Sequence, residues 1–94
     1  MSKIKGRTAT GFSFEIDEEA RDDMEILERL IDMSRGDLTA MPDVLVGLLG
    51  TDQKKALYEH CRGENGRVSS KAVYEEVQSI FESTKEEESD TKNL

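Results

Sequence analysis

At 94 residues the chain suffices for one small domain, able to bury a core with little margin. Its 21 acidic against 13 basic side chains leave a formal net charge of −8, which repels nucleic acid and anionic membrane surfaces alike. A single cysteine, Cys61, has no intramolecular disulfide partner, and no apolar run has the length of a signal peptide or membrane span, so a reducing, cytoplasmic setting is expected.

Residues 1–11 carry Lys3, Lys5 and Arg7 and read as a flexible basic arm or an edge strand. A helical domain is expected over 12–82. It opens with Phe12, Phe14 and Ile16 alternating with Ser13 and Glu15, the period of a short half-buried strand. Ile4 is a candidate for a partner strand in a hairpin that bends near Gly6 or Gly11. Asp17 is then a suitable N-cap, followed by Glu18 and Glu19 at the positive end of a helix running to about Ser34. Arg35 and Gly36 supply its C-terminal charge and its stop.

This first helix is apolar over too wide an arc. Ala20, Met24, Leu27 and Ile31 form one stripe, and Ile26, Leu30 and Met33 form a second beside it, together covering roughly half the circumference. A helix reaching only its own core needs a stripe little wider than about 100°. The surplus stripe Ile26, Leu30 and Met33 is therefore assigned to a partner, either a client or a second copy. Glu18, Asp22, Glu25 and Asp32 on the polar half require a partner that tolerates negative charge. Asp23 falls inside the apolar arc. It reads either as a partly exposed carboxylate near the helix start, paired with an arginine such as Arg67, or as a polar register-setter at an interface.

Pro42 opens a second helix whose residues Met41, Val44, Leu45, Leu48 and Leu49 leave almost no polar face before Gly50. Gly47, inside it, signals a close approach to another helix. Thr51 caps a third helix, about Asp52 to Arg62, with Leu57 and Cys61 inward, and Gly63-Glu64-Asn65-Gly66 makes a turn. Ser69 caps a fourth, where Val68 and Val73 have the spacing of a hydrophobic staple and Val73, Val77, Ile80 and Phe81 face inward. Residues 83–94 lack apolar periodicity and are expected to form a disordered acidic tail, dispensable for folding. The fold class is mainly α: a small four-helix cluster with a short N-terminal strand or hairpin.

Little in the chain suits catalysis. His60 and Cys61 are the only residues of their kinds, and as helix neighbours they point about 100° apart, a poor thiolate–imidazole geometry. Cys61 reads as a small core residue and His60 as a solvated one. Aligning Gly66 with the invariant glycine of a calcium-binding loop puts Cys61 and Ala72 at ligand positions, which rejects calcium. The carboxylate runs Asp22-Asp23, Glu75-Glu76 and Glu86-Glu87-Glu88 read as solvated faces. No phosphate-cradling glycine loop is present, and Glu75 and Glu76 oppose DNA on the helix that would have to read it. The expectation is a protein-binding module without enzymatic activity, cofactor, metal or small-molecule substrate.

In order and spacing, several stretches resemble the tail assembly chaperones of long, non-contractile-tailed phages and prophages of Gram-positive bacteria. They are Gly11-Phe12-Ser13-Phe14-Glu15-Ile16-Asp17, Asp22-Asp23-Met24-Glu25-Ile26-Leu27-Glu28, Leu48-Leu49-Gly50-Thr51-Asp52-Gln53, Gly66-Arg67-Val68 and Val77-Gln78-Ser79-Ile80-Phe81. Proteins of that kind often have an aromatic after the third helix's glutamine, where Lys54 stands here. The resemblance implies a chaperone that coats the tape measure protein, keeps its apolar helices soluble and helps recruit tail tube subunits. It would act in the bacterial host cytoplasm and be absent from the finished virion. It also implies a ribosomal frameshift near the end of the gene, and Thr91-Lys92-Asn93 is compatible with the slip site A AAA AAC. Two other readings stay open: an acidic inhibitor that mimics DNA, and a small adaptor subunit.

Overall fold

The alternation of Phe12, Phe14 and Ile16 does become a strand, and the basic segment before it is that strand's partner. In the computed structural model, which describes residues 2–92 and the side chains of 2–84, β1 (Lys3–Arg7) pairs antiparallel with β2 (Ser13–Asp17) in the register Ile4 to Ile16 and Gly6 to Phe14. The bend closes through Thr8 N–H to Phe12 O at 2.9 Å, and Gly11 adopts a positive φ of 98° there. Phe12, Phe14 and Ile16 are buried, so one face of the hairpin covers the core. The flexible-arm reading of residues 1–11 gives way to the edge-strand one.

The helix expected over residues 17–34 is divided in two: α1 (Glu18–Arg21) and α2 (Met24–Ser34). Asp23 divides them. Its backbone is extended and its carboxylate accepts the N–H groups of Glu25 (2.8 Å) and Ile26 (3.4 Å), satisfying two orphan donors at the start of α2. Asp17, the expected cap, makes no capping bond and pairs instead with Lys3 across the hairpin at 2.9 Å. The stop is as expected: Arg35 ends α2 and Gly36 takes φ 102°.

The second and third expected helices form one helical stretch, α3 (Met41–Cys61), broken by a kink at Gly50. There φ is 80° and ψ 168°, a region open essentially to glycine alone. Met41, Val44, Leu45, Leu48, Leu49 and Leu57 are all buried. Gly47 permits the close approach expected of it, since a Cβ there would lie 3.2 Å from Ile26 Cδ1 of α2.

Ser69 caps α4 (Ser70–Lys92) through its Oγ, which accepts Ala72 N–H at 3.2 Å. Val73, Val77 and Ile80 are buried and Val68 packs against the same core, as the staple requires. Among the described residues the fold is mainly helical, 65%, with four α-helices, a short 3-10 turn at Leu38–Ala40 and the hairpin. The helical domain does not stop at Glu82. Thr84 is 4% exposed, and its hydroxyl accepts from Arg21 Nε at 2.7 Å and donates to the Phe81 carbonyl at 3.1 Å. The side chains of the remaining expected tail lie outside the described residues. A chain ended at Ser83 is accordingly expected to lose roughly 1.5–3 kcal/mol, the usual worth of a hydrogen bond to a charged group. Urea denaturation of the truncated chain against Thr84→Val checks this: both should lose similar stability.

Candidate partner-binding surface

The cap at Asp23 sets which way α2 faces. Ile26 (6% exposed) and Met33 (2%) point into the core, whereas Met24 (60%) and Ile31 (46%) point to solvent. The two stripes therefore exchange the roles expected of them. Ile26 and Met33, assigned from the sequence to a partner, are covered by the chain's own core, because α2 packs against α3 where Gly47 leaves room for Ile26. The solvent stripe is Met24, half-buried Leu27 and Ile31, with Glu25, Glu28 and Asp32 exposed around it. Val46 of α3 is a further exposed apolar side chain, at 45%.

Leu30 keeps an intermediate place. It is half-buried and lines a groove of about 240 Å³ between α2 and α4 together with Tyr74, Gln78, Phe81 and Glu82. The Arg21 guanidinium sits over the Phe81 ring, 5.1 Å from its centroid. Asp23 is exposed and stands at a helix start, but without an arginine beside it. Its carboxylate is engaged by two amides of its own helix, and no ion pair with Arg67 occurs among the described residues.

A polar cluster clamps the hairpin bend to the helices. The Thr10 hydroxyl donates to Glu76 Oε2 at 2.6 Å, and its oxygen lies 2.8 Å from His60 Nε2. With the Thr10 proton committed to Glu76, the contact with His60 requires the imidazole to carry its hydrogen on Nε2. The His60 ring also packs on Phe12 at 5.4 Å, and Ala9 N–H donates to Ser79 Oγ at 2.8 Å. Glu76, grouped with Glu75 as a solvated run, is in fact 4% exposed. Its Oε1 meets no hydrogen-bond partner among the described residues. Burial, and secondarily Glu76, push the neighbouring Cys61 thiol up from its ordinary value, which keeps it un-ionised and weakly nucleophilic. Imidazole and thiol thus serve different neighbours. No group of three or more His, Cys, Asp or Glu side chains suited to a metal occurs among the described residues, and none of their helices is long and apolar enough to cross a membrane.

The sequence offered no sign of this clamp, because its bonds join residues 50 and 66 positions apart. Comparison with protein-family models, with curated proteins and with solved structures returned no match.

Proposed function

We propose that this chain is a tail assembly chaperone that holds the apolar helices of a tape measure protein in solution and helps bring tail tube subunits to them. The observation carrying this reading is the outer stripe of α2. Met24 and Ile31 present apolar surface beside exposed Glu25, Glu28 and Asp32. An apolar stripe takes up one face of an amphipathic client helix, and the surrounding carboxylates keep the loaded complex apart from its copies by charge repulsion. The net charge of −8 acts in the same direction. The motif resemblance suggests the client, and the stripe is the surface proposed to hold it.

The test is co-expression with an apolar helical segment of a phage tape measure protein, scored by the soluble fraction of that segment. Wild-type chain should keep it soluble. The double variant Met24→Glu, Ile31→Glu should fold with a melting temperature within a few degrees of wild type, because both side chains are largely exposed, yet leave the segment insoluble. A segment equally soluble with and without the chain, or equally protected by the double variant, would overturn the reading.

A further inference from the structure

We propose that the outer edge of β1 takes an extended, acidic segment of a partner protein as a third strand of the sheet. Backbone parity establishes the edge. Glu18 N–H donates to Ser2 O at 3.1 Å and Thr8 N–H to Phe12 O at 2.9 Å, so the even-numbered residues from Ser2 to Thr8 aim their backbone groups at β2. In an antiparallel ladder these groups alternate sides, so the N–H and C=O of Lys3, Lys5 and Arg7 point away from β2. Among the described residues the sheet has two strands, and these outward groups meet no backbone partner.

The hairpin's two edges are treated differently. On the β2 edge, Glu15 N–H donates to Gln53 Oε1 at 2.8 Å and Glu15 O accepts from Gln53 Nε2 at 2.6 Å, so a side-chain amide occupies the place of a neighbouring strand. Nothing equivalent closes β1 among the described residues. From Lys3 to Arg7 the edge is about 13 Å long, room for a partner strand of about five residues.

The side chains specify the occupant. Ile4 and Gly6 lie on the core face, and Lys3, Lys5 and Arg7 are exposed on the other, a basic row in a strongly acidic protein. β2 already shows what suits that row, since Lys3 faces Asp17 and Lys5 faces Glu15. A third strand with Asp or Glu at alternate positions would set carboxylates beside the same cations, with apolar residues between them on the Ile4 side. A second copy does not fit. Antiparallel pairing of β1 with β1 about Lys5 sets Lys5 against Lys5 and Lys3 against Arg7, and like charges directly opposite destabilise a pair. Pairing with another copy's β2 first requires Gln53 to leave. The cations that keep this edge from its own kind thereby select an acidic partner. This surface is separate from the α2 stripe, and the proposal stands whatever client that stripe holds.

Amide exchange and chemical shifts of the isotope-labelled full chain test it, with a capped peptide of about seven residues alternating Glu and Val as probe. The expected result is slowed exchange, by about tenfold or more, at the Lys3, Lys5 and Arg7 amides. Binding should weaken with added salt and with Lys5→Gln, a change at an exposed side chain whose effect on folding the melting temperature reports. Two control peptides should not protect these amides: one alternating Lys and Val, and the Glu–Val peptide N-methylated at its glutamates, whose N–H groups would face β1. Protection by either control, or no protection of the three amides by the Glu–Val peptide, would overturn the proposal.

Discussion

Gln53→Glu is expected to lower the melting temperature by about 10–20 °C, on the footing that 1 kcal/mol is worth about 4–8 °C in a domain of this size. The wild-type amide is held on both sides: Nε2 donates to Leu49 O at 2.8 Å and to Glu15 O at 2.6 Å, while Oε1 accepts Glu15 N–H. A carboxylate keeps the acceptor and loses both donors, so two carbonyls then confront a negative oxygen. Two part-buried acceptors left without partners cost roughly 2–4 kcal/mol together. The pH dependence has a definite sign. Two facing carbonyls disfavour the ionised form, so the introduced carboxyl's folded-state pKa is expected to lie above its unfolded value of about 4.3. The deficit against wild type should therefore be smallest below that value and grow as pH rises through the folded pKa. Thermal unfolding of both proteins at acid and neutral pH, compared as a difference, checks this. A deficit independent of pH would mean that the amide acts by packing alone.

Gln53 also illustrates what sequence reading reaches and what it misses. Punctuation was legible: Gly36, Pro42, Gly50 and Ser69 each fall at a helix boundary or kink, because each acts through its own backbone or its nearest neighbours. The β2 alternation and the apolar positions of α3 and α4 were legible too, since burial imposes their period directly. Gln53 was visible only as one letter of a motif. Its role depends on Glu15, 38 positions away, and no local pattern encodes that. The buried place of Glu76 is hidden in the same way, since the hydroxyl that engages it is on the hairpin bend. The end of the domain was misplaced because Thr84 is held by Arg21 rather than by apolar periodicity.

The reversed stripes of α2 have a different origin. A helical wheel drawn over residues 17–34 assumes one continuous phase, and both Asp17 and Asp23 are good capping residues. Periodicity alone cannot choose between them. Capping at Asp23 restarts the helix and separates Ala20 from the stripe it was assigned to, while the rest of the wide arc stays on α2. The arc's width remains informative, since apolar surface is left over on α2, but it lies on the opposite stripe from the one expected.

That exchange carries the second large effect. Met33→Ala is expected to cost roughly 2–5 kcal/mol, because a nearly fully buried thioether side chain leaves both its transfer free energy and a cavity behind. Ile31→Ala, on the same helix but 46% exposed, is expected to stay within about 0.5 kcal/mol of wild type. Chemical denaturation of the two single variants decides the orientation of α2 directly. If Ile31→Ala proves the costly one and Met33→Ala the silent one, α2 is rotated toward the facing that bare periodicity suggests, and the partner surface returns to Ile26, Leu30 and Met33. If both are costly, and wild type and Met33→Ala lose stability on dilution while Ile31→Ala does not, the outer stripe is already occupied by a second copy. A silent Ile31→Ala at every concentration leaves Met24, Leu27 and Ile31 open to a client, which is the condition the chaperone reading requires.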